Sequence, residues 1–291
     1  SYPHQAGCQC ENCKAIDDRE GTPMGSLLTF VNRIADDIKD DYPNVYVDTL
    51  AYRYTRKAPK TIKPRDNVII RLCSIECCFC HPLDDPDCPH NVEFKKDIEE
   101  WAAICNNLYI WDYTTDFLCY LSPFPNFAVL QKNVKFFKDH HVIGMFEQGN
   151  YQSLSGEFGE LRGYLLAKLL WDPYMSEEQY QTHINEFMEG YYGEGWQAIR
   201  RFFDRLHRSV GDNHFGIYYE DPLDLFVDPD TEGDNLQRAE AFLCKGRADF
   251  AAAKQTATAD QLARIQRAEV QLDVYEWYVC RARFNALAED D

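Results

Sequence analysis

Nowhere in this chain do about 18 apolar residues follow one another, so no bilayer-spanning segment is expected. Basic residues are scarce: Lys and Arg number 30 against 48 Asp and Glu, a net charge of −18. That field repels nucleic acid and anionic lipid surfaces alike, and neither is an expected partner. There is no Gly-rich phosphate loop, no Gly-x-Ser-x-Gly elbow and no His-Glu-x-x-His helix, which removes the usual residues for phosphate cradling, serine-elbow hydrolysis and zincin chemistry. No repeat, low-complexity tract or signal-peptide pattern stands out, and the compartment is left open. The chain opens Ser1-Tyr2-Pro3-His4, without Met and already in loop-like sequence. The expectation is therefore a fragment, with the N-terminal half of a parent chain as its partner.

What is present is enough to build a large core. The chain has 291 residues, 45% hydrophobic and 14% aromatic, a composition that fits one or two domains. Residues 1–24 read as a loop. Apolar residues from Leu27 to Ile38 recur at helical spacing until Pro43, predicting a helix over 26–39. Strand-like runs follow at 45–50, 67–73, 108–112 and 142–146, with helical patterns at 92–105, 127–139 and 157–171 between and after them. Alternation of this kind predicts parallel strands joined by right-handed crossovers. All four runs end in polar or aromatic groups, which favours the second half of a (β/α)8 barrel over an open sheet with a single switch point. After Pro173 the alternation stops, and 176–192, 194–209, 235–255 and 258–288 read as helices. The expected domains are residues 1–173, half a barrel, and 174–291, an α-helical C-terminal region.

The stretch Asn67–His81 organises the rest. A buried apolar strand, Val68–Leu72, gives way to Ser74, Glu76, several thiols and His81. Tyr52 and Tyr54 end the first strand, Glu76 follows the second, Asp112 and Tyr113 end the third, and Glu147 and Gln148 the fourth. On parallel strands these groups share one carboxyl end. Carboxylates among aromatic rings suit glycoside chemistry, in which one acid protonates a leaving oxygen, a second carboxylate attacks or activates water, and flat rings stack on sugar faces. The candidate catalytic residues are Glu76, Asp112 and Glu147. The candidate substrate contacts are Tyr52, Tyr54, Arg71, His81, Trp111, Tyr113, Gln148 and Tyr151. Against this stands the plainer reading, in which each acid caps a helix or pairs with a nearby base.

Twelve cysteines, about 4% of the chain, fall short of a disulfide scaffold. Cys8, Cys10 and Cys13 form a Cys-x-Cys-x-x-Cys loop, the candidate zinc site, to be completed by Cys77, Cys80 or His81. Its spacing is not that of a standard zinc ribbon, so structural thiols or a disulfide are the preferred reading and no cofactor is expected. His140-His141 reads as a solvated turn, and Glu160, Arg162 and Lys168 as salt-bridge partners on a helix.

At these residues the sequence resembles the bacterial domain-of-unknown-function family 4838. The resemblance rests on Cys8–Cys13, Asp48–Tyr52, Asn67–His81, Trp111–Tyr113, Phe146–Gly149 and Ala167–Pro173, and runs to about residue 209. It implies a glycoside-hydrolase-like protein, bacterial and soluble. More distantly the pattern is similar to xylan α-glucuronidases, a (β/α)8 barrel followed by a helical domain. That similarity implies a base role for Glu76, with Asp112 or Asp116 near the second carboxylate. The general acid of those enzymes comes from an earlier strand that this chain does not contain, which implies an incomplete site. The leading expectation is a glycoside hydrolase domain acting on poly- or oligosaccharides. Its alternatives are a non-catalytic carbohydrate-binding or scaffold domain and a metal-dependent hydrolase centred on the cysteines. Arg53, Arg56, Lys57 and Arg71 form the candidate basic patch for an acidic sugar.

Overall fold

The computed structural model describes residues 7–151 and 156–289; the opening residues of the expected N-terminal loop, with Pro3, lie outside them. The described chain divides into two compact units that interleave in sequence. The first comprises residues 1–77, 83–113 and 135–148, and the second 78–82, 114–134 and 149–291.

The first unit is built on a four-stranded parallel sheet in the order β1-β2-β3-β4, with β1 Val47–Ala51, β2 Val68–Cys73, β3 Leu108–Tyr113 and β4 Val142–Gln148. Its strands are rich in β-branched and aromatic residues, which fit a pleated, packed surface. Side chains alternate between the two faces. One face carries Val68, Ile70 and Leu72 of β2 with Leu108 and Ile110 of β3, all fully buried. Helix α2 (Met24–Ile38) packs on β1 and β2, burying Leu28, Val31 and Ala35, and α3 (Val92–Ala102) buries Phe94, Ile98 and Trp101. The other face carries Arg71, Tyr109, Trp111 and Phe146, none of them buried. Parallel sheets normally bury both faces, so this open face is unusual for its topology.

The first 24 residues are not all loop. Helix α1 spans Glu11–Glu20 and ends at Gly21, whose φ of 73° only glycine adopts readily and whose N–H bonds the Asp17 carbonyl. Of its residues only Glu20 is buried, so α1 has no apolar stripe for a sequence reader to find. Polar contacts hold it instead. Asp17 accepts from the N–H and hydroxyl of Ser26, and Glu20 accepts from the Thr61 N–H and hydroxyl and the Ile62 N–H. Burial alone would raise the Glu20 carboxyl, but those donors, with Arg19, hold it down at about 2. The Lys/Pro-rich link over 56–65 is thereby pinned, and Asn32 adds bonds to Lys63 and Arg65.

The second unit is helical and contains α5 (Gly159–Trp171), α6 (Glu177–Tyr192), α7 (Trp196–Ser209), α8 (Asn235–Lys254) and α9 (Ala259–Glu289). Successive helices pack on one another. The strongly amphipathic α7 turns Ile199, Phe202, Phe203 and Leu206 inward, where Phe202 meets Phe250 and Phe203 meets Phe158. Helix α4 (Phe127–Asp139) is divided between the units at Val134 and Lys135.

Candidate functional site

In a parallel ladder the residues at one level share one environment. Cys73 of β2 pairs with Trp111 of β3, and the Ser74 N–H continues that ladder onto the Trp111 carbonyl. Asp112 pairs in turn with Glu147 of β4. The carboxyl edge of the sheet therefore aligns Ser74, Asp112 and Glu147 on adjacent chains. Asp112 is buried on the same face as Ile110, and the Ser74 hydroxyl donates to its Oδ1. Glu147 is half-buried, and its Oε2 is shut away from water with no hydrogen-bond partner.

Neither carboxylate has an ion-pair partner among the described residues, and burial governs both. It pushes Asp112 up to about 6, although the Ser74 hydroxyl and the Tyr113 N–H favour its charged form. Glu147 is raised well above the carboxylate range, first by burial and then by the charge of Asp112. Two like charges this close cannot both form cheaply, so the pair holds its last proton above the ordinary carboxylate range.

Glu76 is placed differently. Strand β2 ends at Cys73, and Glu76 lies beyond Ser74 in a turn. Its side chain is 44% exposed, and its Oε2 accepts from Arg56 at 2.7 Å. Arg56 also meets Asp97 of α3 at 2.6 Å and is itself only 12% exposed. Burial and then the bond from Arg56 act in opposite senses on Asp97, and burial wins, leaving it raised. The resulting Arg56 cluster ties the link, the turn and α3 together, so the geometry gives Glu76 a ready structural role.

The open face gathers several of the expected substrate contacts. Arg71 donates from Nε and Nη2 to Asp48 at 3.1 and 2.5 Å, and its guanidinium lies 5.6 Å from the Tyr109 ring centre and 6.0 Å from that of Trp111. Trp111 stands edge-on to Phe146 and donates from Nε1 to the Gln148 side chain at 2.7 Å. Gly144 makes this surface possible. A Cβ there would come within 2.0 Å of the Tyr109 ring, so the ring can lie across β4 only because that residue has no side chain. Tyr52 sits at the end of β1 with the Arg53 guanidinium 5.3 Å from its ring centre, Tyr54 is exposed in the short 3-10 turn Arg53–Thr55, and Tyr113 is buried.

The remaining expected residues have surroundings of their own. Tyr151 belongs to the second unit, exposed and edge-on to Tyr120. Asp116, also in the second unit, is buried with Oδ2 lacking a hydrogen-bond partner, and burial pushes it up to about 7. Arg162 is indeed an ion-pair residue, but its partner is Glu157 at 2.6 Å, while Glu160 pairs with Arg267. Cys8, Cys10 and Cys13 bring their sulfurs within 4.8 Å of one another in the first unit. His81 lies in the second unit beside Cys78, Cys80 and His214. Sequence reading did not single out Ser74 as the partner of Asp112; the signal was the strand register, which places it one residue past Cys73.

The fold and the site together define an α/β protein whose parallel sheet ends in a pair of neighbouring carboxylates. The chain belongs to the family described as "Domain of unknown function (DUF4838)", whose profile matches residues 3–204. No curated protein and no solved structure matches it.

Proposed function

We propose that this chain is the carbohydrate-active part of a glycoside-hydrolase-like protein, acting on poly- or oligosaccharides through Asp112 and Glu147. The observation that carries the reading is the pair itself: a carboxyl that burial and a neighbouring acid raise well above the carboxylate range, beside a second carboxyl, at the C-terminal end of neighbouring parallel strands. Glycosidic bond cleavage asks for a proton donor and a second carboxylate flanking the same bond. In this reading Glu147 gives its proton to the leaving oxygen. Asp112, steadied by the Ser74 hydroxyl, supplies the negative charge that meets the developing oxocarbenium ion. The four strands form one half of a (β/α)8 barrel, and the open face of Arg71, Tyr109 and Trp111 lines its interior. Support comes from the all-parallel order and from a face left uncovered where parallel sheets are normally covered.

One observation favours a second reading. Trp111 and Asp112 alternate, so the ring surface and the carboxylate pair lie on opposite faces of the sheet and meet only at its carboxyl edge. A non-catalytic carbohydrate-binding domain would use the ring surface alone.

A glycan panel separates the two. The hydrolase reading expects turnover on at least one poly- or oligosaccharide, reduced by about 10²- to 10⁴-fold in Glu147→Gln while binding persists. Binding without turnover, lost on Trp111→Ala, would establish the second reading. Turnover unchanged in Glu147→Gln would remove the pair from the mechanism.

A further inference from the structure

The function proposed above makes no use of the second unit's thiols and imidazoles. Cys78, His81 and His214 each offer one ligand atom, and all of these atoms lie within 4.8 Å of one another. The Cys78 sulfur stands 3.3 Å from His81 Nδ1. Tetrahedral zinc, with bonds of about 2.3 Å to sulfur and about 2.05 Å to nitrogen, sets that edge at about 3.5 Å. The imidazoles of His81 and His214 lie with ring centres 4.5 Å apart, tilted by 41° rather than stacked, as two rings do when they approach one point from different sides.

The chain brings these residues together by a short backbone splice. The Phe79 N–H bonds the Phe215 carbonyl, which sets the segment holding Cys78 and His81 alongside the residue after His214. Cys80 is turned to the same strip and donates to the Asn213 carbonyl at 3.1 Å. Neither segment has regular structure: 78–82 and 212–216 contain no helix or strand. A loop that owes little to hydrogen-bonded secondary structure gains most from a metal, because metal binding is then folding free energy.

We propose that Cys78, His81 and His214 bind a zinc ion. The set is one thiolate and two imidazoles, a donor combination that selects zinc over calcium or magnesium. Binding converts the Cys78 thiol to a thiolate and releases one proton. The ion holds together two segments that have no regular structure of their own.

The test is metal content and cobalt spectroscopy on the whole chain. Purified protein is expected to hold about one zinc per chain. After metal removal, Co²⁺ should give tetrahedral d–d bands in the visible and thiolate-to-cobalt absorption in the near ultraviolet. The triple change Cys8→Ser, Cys10→Ser, Cys13→Ser should leave both signals intact, whereas His81→Ala or His214→Ala abolishes tight binding. His214→Cys should keep the metal and about double the thiolate absorption, from one sulfur to two; this variant and the unmodified chain decide the matter if Cys78→Ser does not fold. No stoichiometric zinc and no cobalt spectrum in the unmodified chain would overturn the proposal. So would signals that vanish with the Cys8, Cys10 and Cys13 changes and survive His81→Ala.

Discussion

Each unit takes carboxylates out of water, and the two do so by opposite means. In the second unit Glu157 faces Arg162 at 2.6 Å, with side chains 1% and 5% exposed. Arg162 also donates to Asn126 Oδ1 and the Phe124 carbonyl, and its guanidinium lies 4.4 Å from the Phe127 ring centre. In the first unit Glu147 faces Asp112, a second acid, with a serine hydroxyl for company. Burial raises Glu157 to about 7 even against the pull of Arg162, which shows how strongly desolvation weighs at either place. The difference lies in what the neighbours do. A guanidinium locked on all sides builds structure, while a proton shared by two acids at a strand end can be given away.

Removing Arg162 should give the largest effect. Arg162→Met leaves Glu157 buried without its cation and opens the bonds to Asn126 and Phe124, so unfolding free energy should fall by about 3–5 kcal/mol. Urea denaturation at neutral pH measures it. A loss under about 1 kcal/mol would mean that the ion pair does not anchor the second unit.

The acid pair should behave in the opposite way. Asp112 is raised in the folded state, to about 6 from an ordinary 3.8, so its protonated form is the one that folding favours. That contribution is fully present below about pH 4, declines as pH rises through about 6, and is gone above. Asp112→Asn, which can still accept the Ser74 hydroxyl, should therefore raise stability at pH 7.5 by on the order of 1–2 kcal/mol. The gain should shrink toward pH 4.5. Thermal melts at both pH values check the sign, and a variant less stable at pH 7.5 would mean that the fold favours the charged form of Asp112 rather than penalising it.

The smallest effect is expected at Glu76. An exposed carboxylate paired with one arm of Arg56 contributes about 0–1 kcal/mol, so Glu76→Gln should melt within a few degrees of the unmodified chain and keep any glycan turnover. Turnover lost with the melt unchanged would give Glu76 the catalytic role that its place after β2 suggests from sequence.

Much of the fold was legible because apolar periodicity reports burial directly. The β2 run of β-branched and leucine residues, the alternation around Ile110 and the amphipathic stripes of α2 and α7 each mark a face that packs. Helix α1 was hidden because its contacts are polar. The site was half legible. That Asp112 and Glu147 end neighbouring strands follows from the strand pattern. That Ser74 rather than Glu76 stands level with them depends on register, which a single residue of slip reverses. Arg56, which claims Glu76, lies in a link with no periodicity at all. The meeting of His81 with His214 could not be seen either, since it depends on two irregular segments far apart in sequence.

The central claim, that Asp112 and Glu147 hold a proton between them near neutral pH, is tested most directly by carbon-detected NMR titration of the two side-chain carboxyls. Asp112→Asn and Glu147→Gln would provide the assignments. The account predicts that the pair loses its last proton at or above about pH 6, and that removing either acid lowers the titration of the other. Both carboxyls fully ionised by about pH 5, each indifferent to the loss of its neighbour, would contradict it.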